Sequence, residues 1–145
     1  MTRPDAPSIA SALVVEFLSD AWIARLDAAA RAADDLAVDP PFTVATVVGA
    51  PQGEQGYRVR FGPDGASVTG SGHGADVALL TDPTTAWALH EGSLRAQDAF
   101  ARGLLKLRGR PELLAAHGEL LAALERALAP VRADTTPPEW VRVDR

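Results

Sequence analysis

Between Val77 and Leu128 the chain presents more apolar surface than any element within it can cover alone. Val77-Ala-Leu-Leu80 is a continuous apolar run, the signature of a strand covered on both faces. Asp82-Pro83 then offers an N-cap and a proline at the first helical position, and Gly92 ends that helix. Ser93 is the expected cap of a second short helix carrying Leu94, Ala99 and Phe100, with Gly103 as its stop. Leu105 and Leu107 alternate with Lys106 and Arg108, a brief strand with a dry and a cationic face. Pro111 opens a last helix striped by Leu113, Leu114, His117, Leu120, Leu121, Leu124 and Leu128, which Pro130 is expected to stop. Such stripes need a common apolar target.

The missing wall comes from upstream. Ser19 reads as an N-cap followed by Asp20, with Leu18 placed to staple onto Ile23. Trp22, Ile23, Leu26, Ala30, Ala33 and Leu36 or Ala37 recur at three and four residue steps, predicting a helix from Ser19 to Ala37 that ends before Pro40-Pro41. From Phe42 the period becomes two. Phe42, Val44, Thr46 and Val48 form one face of a strand; after a turn at Pro51 to Gly56, Tyr57, Val59 and Phe61 alternate with Arg58 and Arg60. Gly62-Pro-Asp-Gly65 is a turn signal, and Ala66 to Thr69 completes an antiparallel meander. Residues 1–17 and 130–145 read as tails around one domain spanning 18–129. Met1 to Ser8 is expected to be loose, and Glu139-Trp-Val-Arg-Val143 is an apolar end that could dock back on the domain.

At 145 residues, with 47% hydrophobic and 23% charged, the chain has the composition of one ordinary globular domain. A net charge of −5 and a single lysine, Lys106, argue against nucleic acid as a partner. Absent cysteines exclude disulfides and thiolate chemistry. No run approaches the ~18 apolar residues of a membrane span. The Ile9 to Leu18 run is broken by Ser11 and Glu16 and lacks a cationic start and a small-residue cleavage pattern, so it does not look like a signal peptide. These features predict a cytoplasmic protein.

No motif carries catalysis. Gly70-Ser-Gly-His-Gly74 lacks the Lys and Ser/Thr of a phosphate loop and precedes a strand, so it reads as a connection. Ser71 lacks the glycine two positions before it that a nucleophile elbow requires. His73, His90 and His117 are too widely spaced for a metal pair. His117 lies on a leucine stripe, and His90-Glu91 falls at a helix end, where an imidazolium favours the dipole. Asp34-Asp35 points in two directions on a helix and reads as solvated. No catalytic residue, metal ligand or cofactor is assigned.

Ala75-Asp-Val-Ala-Leu-Leu-Thr-Asp82, Leu89-His-Glu-Gly-Ser-Leu94 and Ala99-Phe-Ala-Arg-Gly-Leu-Leu-Lys-Leu-Arg-Gly109 together resemble the sterol carrier protein type-two family, the small sterol-transfer domains. Phe17-Leu-Ser-Asp-Ala-Trp22 looks like the start of bacterial single-domain members, and a composition rich in alanine and arginine fits a bacterial source. The likeness covers roughly Leu18 to Leu128. It departs at Leu104, where the family commonly has lysine, and at Arg110, where it has an acidic or amide residue. The ending Val143-Asp-Arg145 is not the peroxisomal one of some eukaryotic members.

The resemblance implies an α+β fold in the order α-β-β-β-β-α-α-β-α. A mixed sheet of about five strands would carry helices on one face and enclose an apolar tunnel. Its lining would be Trp22, Leu26, Val44, Tyr57, Val59, Leu79, Trp87, Leu94, Phe100, Leu105, Leu120 and Leu124. It implies a soluble, non-catalytic carrier of a fatty acyl, acyl-CoA or sterol-like lipid, and Arg58, Arg60 or Arg95 near a mouth could hold an anionic head. Each buried methylene contributes about 0.8 kcal/mol, so about ten supply roughly 8 kcal/mol before ordering costs. The alternative is a module whose apolar surface forms a homodimer or docks on a partner enzyme.

Overall fold

A computed structural model of the chain describes residues 15–50, 53–70 and 74–137. The expected loose start, Ser71 and His73 of the glycine-rich connection, and the apolar C-terminal end lie outside these residues.

The main body follows the predicted order. Helix α1 (Asp20–Ala32) starts where Trp22 N–H donates to Ser19 Oγ at 3.1 Å, and it buries Trp22, Leu26 and Ala30 on one side. It stops short of Ala37. Ala33 turns extended, and Val38 N–H donates to the Gly62 carbonyl at 2.9 Å, so Leu36 reaches the core from a connection rather than a helix. Continuing would have placed Asp34 and Asp35 at the negative end of the helix dipole.

Strands β2 (Phe42–Ala50), β3 (Gly53–Gly62) and β4 (Gly65–Thr69) form the meander, and β3 begins three residues earlier than Gly56 because Glu54, Gln55 and Gly56 pair with Gly49, Val48 and Val47. Strand β5 (Val77–Thr81) adds parallel to β2, and β6 (Leu105–Gly109) antiparallel to β5, giving a mixed five-stranded sheet in the order β4-β3-β2-β5-β6. Only Val77 of β5 is fully buried, so this strand is not sealed on both faces as its apolar run suggested. Register fixes the inward set, because rows such as Val68, Val59, Val44 and Val77 or Tyr57, Thr46 and Leu79 share a face. Phe42, Val48, Val59, Phe61 and Val68 of that face form one core with Trp22, Leu26, Trp87, Leu124 and Leu128 from the helices.

Helix α2 (Pro83–Glu91) has the anticipated ends: Thr85 N–H donates to Asp82 Oδ1 at 2.8 Å, and Gly92 closes it at φ 88°. Ser93 does not cap the next helix. Its N–H bonds the Ala88 carbonyl and its hydroxyl donates to Glu91 Oε2 at 2.9 Å, so it finishes α2, and α3 (Ala96–Ala101) starts without a side-chain cap. The last helix is two: α4 (Glu112–Ala116) and α5 (Gly118–Ala133), broken at His117, whose ring stacks on Phe42 at 4.4 Å. Pro130 lies inside α5. It forfeits one backbone bond, yet the next residue, Val131, is buried in the core and holds the final turn.

The packed body also begins before residue 18 and ends after 129. A two-residue parallel ladder joins β1 (Val15–Glu16) to β7 (Thr135–Thr136), with Val15 N–H on the Asp134 carbonyl and Phe17 N–H on the Thr136 carbonyl, both at 2.9 Å. Arg25 ties α1 to the same corner through Asp134 at 3.0 Å. Phe17 is thereby carried into the core.

Candidate functional site

The helices do not seal the inner face of the sheet completely. Thr46, Tyr57 and Leu79 are half-buried cross-strand neighbours, and above them two cavities of about 310 and 300 Å³ open. They share a wall made of Thr46, Tyr57, Leu79, Ala96, Leu105, Glu125 and Arg132, so they are neighbouring lobes of one site. One lobe is apolar, walled by Val44, Val59 and Phe61 from the sheet, Phe100 from α3, and Leu114, Leu121, Leu124 and Leu128 from α4 and α5. Phe100, 38% exposed, stands at its rim as the single exposed large hydrophobic side chain among the described residues.

The other lobe is more polar. Phe17, Ala86, Leu89, His90 and Leu94 line it together with Thr81 and the shared wall. His90 packs against the rings of Phe17 at 4.9 Å, Trp87 at 5.3 Å and Trp22 at 5.6 Å. Burial first, and then the Arg132 cation, lower its pKa to about 4, so at neutral pH the ring is uncharged. Its Nε2 is buried without a hydrogen-bond partner among the described residues. Burial raises the pKa of the Tyr57 phenol; a hydrogen bond with Thr46, its cross-strand partner, opposes this. Glu125 and Arg132 are two turns apart on α5 and form an ion pair in the shared wall.

Chemically, this is a greasy space with one polar end. An imidazole this weakly basic serves as a hydrogen-bonding group better than as a general base at neutral pH. Among the described residues there is no cluster of three or more His, Cys, Asp or Glu side chains suited to a metal ion, and no helix is long and apolar enough to cross a membrane.

Of the residues expected to line a tunnel, Val44, Val59, Phe100 and Leu124 face the apolar lobe, Leu94 the polar one, and Tyr57, Leu79 and Leu105 both. Trp22, Leu26 and Trp87 are not on either wall; they are buried in the packed core. Leu120 lies beside the His117 break, at a separate shallow depression. Arg58 and Arg60 alternate with the inward Tyr57 and Val59 and so project from the other face of the sheet, while Arg95 is exposed. The cation at the site is Arg132. The spacing of Leu121, Glu125, Leu128 and Arg132 would have revealed it, but stopping the helix at Pro130 hid the last member.

No family model matches the chain, and no curated protein matches its sequence. Solved structures match its shape. A crystal structure of sterol carrier protein 2 is similar over 81% of this chain and 98% of its own, at 21% identity and a TM-score of 0.58. The palmitated sterol carrier protein 2 like 2 of Aedes aegypti, determined in solution, is similar over 69% of this chain and 90% of its own, at 20% identity and a TM-score of 0.52. A stereoselective inverting sec-alkylsulfatase from Pseudomonas sp. contains the same arrangement in 16% of its length, matching 72% of this chain at 22% identity and a TM-score of 0.51. With its mixed five-stranded sheet and the helices packed on it, the chain has the fold of sterol carrier protein 2.

Proposed function

We propose that the protein is a soluble, non-catalytic carrier that takes up the apolar chain of a fatty acyl or sterol-like lipid between its sheet and its last helices. The observation that carries this reading is the pair of abutting lobes, about 310 and 300 Å³, in the place where a solid core would ordinarily close. Each is at the lower end of the size of small-molecule sites, and the apolar one has leucines on one side and valines on the other. The fold likeness supports it too, since the Aedes aegypti protein is a palmitated form. Partition of the chain out of water supplies the driving force, and an open, shallow enclosure permits release.

Native mass spectrometry of the protein purified from cells should show a bound lipid, and unlabelled lipid should displace a fluorescent fatty alcohol or fatty acid in a saturable manner. Neither a bound lipid nor saturable displacement would reject the carrier reading.

A further inference from the structure

The apolar lobe accounts for a lipid tail but not for the groups that converge next to it. Glu125 and Arg132 are ion-paired in the wall that both lobes share. Tyr57, whose phenol pKa burial raises further above its ordinary value, and Thr46 are hydrogen-bonded in the same wall. His90, uncharged at neutral pH and with an unpartnered ring nitrogen among the described residues, lines the adjoining lobe. The summed charge of this polar end is zero.

Building on the carrier reading, we infer that Glu125 is a specificity-determining residue: by occupying Arg132 it makes the polar end accept an uncharged hydroxyl head group and disfavour a carboxylate. A free guanidinium beside an apolar lobe would capture a carboxylate with paired, charge-assisted hydrogen bonds. Here a carboxylate already holds it. A ligand carboxylate would have to share Arg132 with Glu125, leaving two like charges close together where water is partly excluded. Side-chain exposures of 56% for Glu125 and 30% for Arg132 place the pair at the edge of the lobes, reached by water yet touching the ligand space.

The remaining groups suit a neutral partner. A hydroxyl can donate and accept, so it satisfies a neutral imidazole in either tautomer, and it can join the Tyr57 and Thr46 hydroxyls in a chain of bonds. A carboxylate only accepts, and so it meets the acceptor nitrogen of a neutral histidine unfavourably. Neither His90 nor Tyr57 offers a positive charge to compensate.

The test compares dodecan-1-ol with dodecanoate, equal in chain length, as competitors of a fluorescent lipid probe at pH 8. The wild-type protein should bind the alcohol at least about tenfold more tightly than the carboxylate. Glu125→Gln, which frees Arg132, should reverse the preference by at least about tenfold. Arg132→Gln, which leaves Glu125 alone, should keep the preference for the alcohol, whereas a merely structural role of the pair would move both variants alike. Equal binding of the two ligands, tighter binding of dodecanoate by the wild type, or an unchanged ratio in Glu125→Gln would overturn the inference while leaving the carrier reading standing. Binding of neither ligand would overturn both.

Discussion

Phe17 sets its ring edge against Trp22 at a centroid distance of 5.0 Å and an angle of 74°. The contact joins the end of β1 to the first turn of α1, and Phe17 also meets Trp87 at 5.4 Å. The residue that follows a two-residue strand is therefore an anchor of the core, 4% exposed. Phe17→Ala should cost about 3–5 kcal/mol in chemical denaturation, the usual range for deleting a buried phenylalanine. A loss under about 1 kcal/mol would mean that this segment is dispensable.

The neutral His90 ties stability to pH. Its folded pKa, about 4, is below the 6.5 of an ordinary histidine, so between these values the unfolded chain binds the proton and the folded one does not. The contribution is complete above pH 6.5 and is lost as pH falls towards 4. The full shift would correspond to about 3 kcal/mol, and the solvent that reaches the ring reduces this to about 1–2 kcal/mol. Denaturation of the wild type and of His90→Phe, which keeps an aromatic ring, should differ in slope in this window and run parallel above it. Identical pH profiles would show that His90 takes up its proton equally readily in the folded and the unfolded chain.

Two glycines separate conformational strain from steric collision. Gly103 and Gly109 have φ of 73° and 89°. A Cβ on Gly103 meets nothing within 4 Å, whereas one on Gly109 would approach the Asp76 carbonyl oxygen to 2.2 Å, a backbone atom that also accepts from Arg110 N–H. Gly103→Ala should cost only the left-handed penalty, about 1–2 kcal/mol. Gly109→Ala should cost clearly more, because β5 and β6 must part locally. Thermal melts of the two variants give the comparison, and equal losses would contradict the close approach.

Ala96 is exposed at the start of α3 and lines both lobes. An indole at this position can cover the shared wall without disturbing the core. Ala96→Trp should weaken fluorescent lipid binding by at least about tenfold and leave the melting temperature within about 2 °C of wild type. Undiminished binding would place the ligand elsewhere.

What could be read from the sequence was whatever a local period or cap encodes. Tyr57, Val59 and Phe61 alternating with arginines fixed a strand and its inward face, and Asp82-Pro83 with Gly92 fixed a helix at both ends. Features that depend on distant partners were not visible. Val15 and Thr135 form a ladder of two residues, too short for any period. Ser93 has cap chemistry, but the preceding helix claims it. At His117 the leucine stripe continues through a break in the backbone, because Gly118 weakens the helix there and Phe42 offers the ring a stack. The site was legible in part for the same reason. Sheet alternation placed Val44, Tyr57, Val59 and Leu79, whereas Trp22, Leu26 and Trp87 of the helices went to the core, and Thr46, Ala96, Glu125 and Arg132 joined the wall unforeseen. An apolar stripe reports that a side chain is covered but not whether protein or ligand covers it.

The ladder between Val15 and Thr135 also orders events in time. It closes a loop of nearly the whole chain, so its formation is entropically late in folding, after the local meander and helices. Phe17 and Arg132, which flank it, both line the polar lobe. That lobe is therefore expected to be the last part of the molecule to assemble and the first to fray. Hydrogen exchange at Val15 and Phe17 should then be faster than at the amides of the five-stranded sheet, and equal protection would show that this corner opens only with the whole fold.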